Sequence, residues 1–210
     1  MIPNITESVK GCSRIEKSAR MWYTGVIINQ EGNMGTVYFT RHGQTVWNVE
    51  NKICGATDIP LTQLGHQQAR ALGERLLAEQ CPIDRILYSP LIRAAETARH
   101  IAEVTGIPTQ PEPRLTEQNF GIYESTPRDG MEFRTAKAQF VNSFGTGESM
   151  LRVAQRIYNL LDELKAGRET CLLVAHNGIA RVVRSYFVDM TNAEYAAYGM
   201  HNCEIVSYSF

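Results

Sequence analysis

Arginine and histidine gather where apolar runs end. "TVYFT" gives way to Arg41-His42-Gly43, "RILYS" leads into a helix-like stretch that carries Arg93, and "LLVA" gives way to His176-Asn177-Gly178. In sheets flanked by helices, ligands bind at the carboxyl ends of strands, where loops present side chains that the sheet holds in place. Sequence spacing pairs none of these two arginines and two histidines with a carboxylate, so their simplest common target is an anion. A phosphoryl group suits them. Arginine offers fork-like donors to tetrahedral oxygens and stays charged at any working pH. A histidine with one ring nitrogen held by a hydrogen bond can attack phosphorus with the other, giving a phosphoramidate that water can cleave. Gly43 would let the backbone pass close to that group.

The elements that must position these groups follow from periodicity. "TVYFT", "RILYS", "TCLLVAH" and "CEIVSYSF" are expected as strands, the last with strict alternation. "LTQLGHQQARALGERLLAEQ" predicts a helix capped by Thr62, with Leu64, Ala69, Leu72 and Leu76 on its apolar side. "PLIRAAETARHIAEVTG" predicts a second helix, with Pro90 near its start and Gly106 as its stop. "ESMLRVAQRIYNLLDELKAG" predicts a third, striped by Leu151, Ala154, Ile157, Leu161 and Leu164 and ended by Gly167, and "GIARVVRSYF" a fourth. Residues 107–113 are Pro-rich and read as irregular. Strands separated by helices of this length need crossover connections. The expected fold is therefore α/β, a three-layer α/β/α sandwich with a mostly parallel central sheet.

Residues 1–33 are polar with isolated apolar positions and read as an appendage, with residues 34–210 as the compact catalytic unit. The alternative is a short hairpin or helix around Met21 to Ile28 that packs on the core. A length of 210 residues suits one main domain. A formal net charge of -1 without a dense basic stripe argues against nucleic acid, so an anionic partner should meet a local pocket. The five cysteines lack any C-x-x-C pair, which suggests neither a disulfide framework nor a zinc knuckle and points to a reducing cytoplasm. No apolar run approaches the roughly 20 residues that cross a bilayer. His66, His100 and His201 have no partner at metal-ligand spacing and read as structural or exposed.

"RHGQTVWN", "DIPLTQLGHQQA", "YSPLIRAAETA", "LTEQNFGIYES" and "LLVAHNG" resemble, in order, the motifs of the histidine phosphatase superfamily, the phosphoglycerate mutase-like fold. The likeness runs from Thr36 to the C-terminus. It implies that His42 becomes phosphohistidine, that Arg41, Arg93 and His176 hold the phosphoryl oxygens, and that Asn48 also reaches the phosphate. It further implies Glu117 as the general acid that protonates the leaving oxygen and then activates water. Gln44, Thr45, Cys54, Gly55, Phe120 and Tyr123 take lesser places, as substrate, loop or wall contacts. The chain departs from the family pattern at "FGIYES", where relatives often read F-G-x-W-E-G, and at Asn177, where many carry glycine.

The resemblance implies no metal and no cofactor, and a small phosphorylated metabolite as partner; a homodimer stays open. Cofactor-dependent mutases of the family carry extra segments after the glutamate, whereas only residues 125–147 are available here for a lid, as in the small phosphatases. A short helix in "RDGMEFRTAKAQF" is expected to cover the pocket and set substrate choice. The expectation is a metal-independent phosphomonoesterase. Its rivals are a phosphoglycerate mutase, a phosphate-ligand binding protein and a metal-dependent hydrolase.

Overall fold

The computed structural model describes residues 35–210. The expectations for residues 1–33 lie outside them. Five strands form one sheet: β1 (Thr36–Arg41), β2 (Arg85–Tyr88), β3 (Thr109–Pro111), β4 (Cys171–Ala175) and β5 (Ile205–Ser209). Their order is β3-β2-β4-β1-β5. All neighbours run parallel except β1 and β5, which pair antiparallel at one edge. The helices are α1 (Val46–Val49), α2 (Gln63–Ala78), α3 (Ile92–Thr105), α4 (Met131–Lys137), α5 (Met150–Ala166), α6 (Asn177–Phe187) and α7 (Asn192–Ala197).

Side chains of a strand alternate between faces, and each face of this sheet is covered. Val37, Phe39, Cys171, Leu173 and Ala175 point into a core shared with Val153, Ile157 and Leu161 of α5 and Ile179 and Val183 of α6. The intervening Leu172 and Val174, with Ile86, face Leu72 and Leu76 of α2 and Ala94, Ala98 and Ile101 of α3. This is the expected three-layer arrangement, and burial on both sides explains why β4 reads as an unbroken apolar run. A third, smaller core of Ile53, Phe120, Phe133, Ala136 and Phe144 seats α4.

Local signals held where capping dictates them. Thr62 accepts the Gly65 N–H at the start of α2, and Gly106, at φ 73, closes α3 in the left-handed conformation that glycine adopts without strain. The α2 stripe is buried at Ala69, Leu72 and Leu76 but not at Leu64, and the α5 stripe is misphased. Leu64 is 47% exposed and Leu151 54%. In α5 the buried set is Met150, Val153, Ile157, Leu160 and Leu161, one residue away from the expected phase at two positions. Leu160 completes a wide face that several registers of the same leucine-rich helix would satisfy. β3 lies inside the stretch read as irregular. It is an exposed edge strand ending on Pro111, a place where proline's missing N–H disturbs no ladder bond.

Candidate active site

The register of β1 on β4 sets Arg41 opposite Ala175. The next residues, His42 and His176, therefore leave the sheet side by side, with ring centroids 5.1 Å apart. Both are buried, at 4% and 1% exposure, and Arg93, delivered by the first turn of α3, is 1% exposed.

Partners fix the tautomers. His42 Nδ1 lies 2.7 Å from the Gly43 carbonyl oxygen; a carbonyl can only accept, so Nδ1 carries the proton and the lone pair is on Nε2. At His176 the logic runs the other way: Arg93 Nε, which can only donate, lies 3.2 Å from Nδ1. The proton is then on Nε2, 2.7 Å from Ser89 Oγ. Burial first, then the charges of Arg93 and Arg41, holds His42 well below the ordinary imidazole value. Burial, Arg93 and His42 do the same to His176. Both rings are thus neutral near pH 7.

The arginines are held by backbone. Arg93 Nη1 donates to the Thr57 carbonyl at 2.9 Å and Nη2 to the Gly55 carbonyl at 2.8 Å, leaving two of its five N–H groups for a ligand. Arg41 Nη1 donates to the Met200 carbonyl at 2.7 Å. Its Nε is buried with no hydrogen-bond partner among the described residues, a state that costs on the order of 1–3 kcal/mol and that an arriving anion would relieve. Burial also pushes the Arg41 guanidinium down to about 10.

Glu117, 6% exposed, follows the 3-10 turn Pro113–Leu115. One carboxylate oxygen accepts the Gln118 N–H and the other the Gly178 N–H, both at 2.9 Å. A Cβ on Gly178 would collide with this carboxylate, so the glycine after His176-Asn177 is what admits Glu117. The carboxylates nearest it in sequence are committed elsewhere: Glu112 binds Arg114, and Glu124 accepts from the N–H groups of Gly55, Ala56, Thr57 and Phe120 and from the Thr57 hydroxyl.

Glu117 lines a cavity of about 200 Å³ with Cys54, Phe120 and Asn177. Arg128, Lys137 and Arg181, with the exposed Arg134, complete its basic wall. The buried histidines and Arg93 are not on its surface. The cavity meets them through Asn177 and Gly178, the residues that follow His176.

Residues 37–210 match the family model of the histidine phosphatase superfamily (branch 1). The chain belongs to the histidine phosphatase superfamily. The probable phosphoglycerate mutase GpmB of Yersinia pestis (strain Pestoides F) is 37% identical over 150 residues, 67% of this chain and 68% of that one. A mycobacterial glucosyl-3-phosphoglycerate phosphatase solved with VO3 is similar with a TM-score of 0.72 at 29% identity, covering 82% of this chain and 90% of that one. Bacillus stearothermophilus YhfR gives 0.70 at 30% identity over 82% and 90%. Phosphatases and mutases thus stand among the relatives, and the family's members are enzymes acting on phosphorylated small substrates.

Several of the remaining residues expected at the site shape its loops. Asn48 Oδ1 accepts the Thr45 N–H at 3.1 Å in the capping box of α1. The Gln44 N–H donates to Gln68 Oε1, and Gln44 Oε1 accepts from the Thr62 hydroxyl. Tyr123 packs on Phe133 and Phe144 and does not line the cavity. Gly43 has a packing requirement of its own: a Cβ there would strike the Gly65 backbone of α2.

Three positioning groups escaped the sequence. Glu124 pins the Gly55–Thr57 loop whose carbonyls hold Arg93. Asn202 donates to the His42 carbonyl at 2.8 Å. Thr97 accepts the Gly43 N–H at 3.0 Å and donates to the Arg93 carbonyl at 2.7 Å. Each bond spans a long sequence separation or needs a known rotamer, so local pattern carried no sign of it. His66 and His100, read as lone structural residues, face each other at 2.9 Å between α2 and α3. Among the described residues no group of three or more His, Cys, Asp and Glu is arranged to hold a metal.

The two buried neutral rings link stability to pH. Both folded-state values lie below the ordinary 6.5, so between the folded and unfolded values the unfolded chain binds more protons. Their contribution is fully present above about pH 6.5 and is lost as pH falls toward the folded values. Urea unfolding at pH 7.5 and 5.5 should give a lower midpoint at 5.5, and His42→Ala should narrow the gap.

Proposed function

We propose that the protein is a metal-independent phosphatase that hydrolyses a small phosphomonoester through a phosphohistidine on His42. The observation that carries this reading is the His42 ring: buried, kept neutral by that burial and by the charges of Arg93 and Arg41, with its lone pair on Nε2 because Nδ1–H is committed to the Gly43 carbonyl.

The chemistry balances on groups present in the chain. His42 Nε2 forms a bond to phosphorus as the ester P–O bond breaks, and protonated Glu117 delivers its proton to the departing oxygen. A water then attacks phosphorus, Glu117 takes its proton, the N–P bond breaks, and inorganic phosphate leaves. Arg41 and Arg93 stabilise the charge on the equatorial oxygens throughout, which is the role a metal would otherwise fill. His176, with Arg93 on one nitrogen and Ser89 on the other, keeps that wall in place.

The mutase reading has one support, the naming of the Yersinia relative. Against it, the chain between Glu117 and α5 holds one short helix, α4, and little else to seal a bisphosphate from water. Rapid acid and alkaline quench of a reaction with phosphorus-labelled ester should trap an acid-labile, alkali-stable label on His42, with full activity in excess chelator. Conversion of 3-phosphoglycerate to 2-phosphoglycerate with a bisphosphoglycerate primer and no free phosphate would favour the mutase. Absence of any trapped label would remove the covalent mechanism.

A further inference from the structure

The cavity beside Glu117 holds more positive charge than a phosphoryl group needs. Arg41 and Arg93 lie at the strand exits and already match a phosphoryl dianion. Arg128, Lys137 and Arg181 are additional, the exposed Arg134 also lines the cavity, and Glu117 is the one carboxylate on the same wall. Among the described residues none of the three is paired with a carboxylate within ion-pair distance. Holding such groups together away from water is unfavourable unless an anion joins them.

Their anchoring aims them rather than satisfies them. Arg128 Nε donates to the Lys52 carbonyl at 2.9 Å and Arg181 Nε to the Tyr198 carbonyl at 2.7 Å. In each case the bond fixes the plane of the guanidinium and leaves its outer fork available. Lys137 Nζ stands over the Phe120 and Phe133 rings, 5.6 and 5.5 Å from their centroids. Those rings support the cation but cannot neutralise it. Two of the three come from the segment between Glu117 and α5, and the third from α6, so the wall exists only when both elements pack together. None of the three lies in the motif stretches that mark the superfamily.

Resting on the phosphatase reading, we infer that the substrate is a phosphomonoester carrying a second anionic group, which Arg128, Lys137 and Arg181 bind. Discrimination depends on Lys137 remaining charged. Burial, with Arg181 and Arg128 nearby and only Glu117 opposing them, pushes its ammonium down to about 8. Preference for the second anion in the free enzyme therefore weakens as pH rises through about 8, and an arginine at 137 removes that limb because it stays charged.

The test uses pairs that differ only in the anion: 3-phosphoglycerate against glycerol 3-phosphate for phosphate release, and their hydrolysis-resistant phosphonates, 2-hydroxy-4-phosphonobutanoate and 3,4-dihydroxybutylphosphonate, for calorimetric binding. The expected preference for the carboxylated member is on the order of 100-fold, set by charge-assisted hydrogen bonds. Lys137→Gln and Arg181→Gln should each cut that ratio about tenfold, with urea midpoints reported alongside, and Lys137→Arg should keep the ratio and abolish its fall above pH 8. Phosphonates bound equally well, or variants that weaken both members alike, would overturn the inference. A carboxylate preference in binding with no phosphate released from either ester would uphold this subsite while rejecting the phosphatase reading.

Discussion

Replacing His42 by alanine is expected to lower phosphate release by at least about 10⁴-fold and to abolish the trapped label, because no other group can take phosphorus along the same line. His176 is the neighbouring imidazole, but it differs in electronic state: its Nδ1 lone pair faces Arg93 and its Nε2–H faces Ser89. It has no free lone pair to offer. Water attacking directly would still have Arg41 and Arg93 as electrostatic support, so a small residual rate is expected rather than none. Affinity for inorganic phosphate should change far less than turnover, since those arginines keep their carbonyl anchors. A variant that loses phosphate affinity in parallel with rate would point to collapse of the site, and one that keeps a labelled phosphoenzyme would place the covalent step on another residue.

The groups proposed for this chemistry were legible because they sit at strand exits, where the parallel-sheet topology alone brings them together. Arg41, His42 and His176 needed only the prediction that two apolar runs are neighbouring parallel strands, and the register of β1 on β4 supplies the rest. Arg93 needed one further step, a helix that follows the next strand. What holds those groups was not legible. The carboxylate of Glu124 binds a loop about 70 residues earlier, at Gly55 to Thr57, and that loop in turn anchors Arg93. Such a bond depends on the folded path of two irregular segments, for which neither a period of 3.6 nor a period of 2 carries information. The phase error in α5 has a different origin. Leucines at 151, 160, 161 and 164 allow more than one apolar face, and the sheet's demand for Val153 and Ile157 decides among them. Edge strand β3 was hidden by the prolines that make it a safe edge.

Glu117→Gln should separate substrates by their leaving groups. For an alkyl phosphate the departing oxygen is strongly basic and needs a proton as the P–O bond breaks, so losing the acid should slow phosphorylation of His42 by about 10²–10⁴-fold. For 4-nitrophenyl phosphate the leaving phenolate is stable without a proton, and the same step should slow by less than about tenfold. Glutamine preserves the volume and keeps an acceptor for the Gly178 N–H, at the cost of the bond from the Gln118 N–H, which its amide NH2 cannot accept. The second half of the reaction still lacks a base for water. With the nitrophenyl ester, the variant should therefore release a burst of nitrophenol equal to the enzyme present and then turn over slowly while phosphohistidine accumulates. Stopped-flow absorbance and rapid quench read both quantities. Equal slowing of the two esters in the first step would assign the proton to another donor. Since Glu112 and Glu124 are held by Arg114 and by backbone amides, that donor would be water admitted through the cavity or the Lys137 ammonium on its wall.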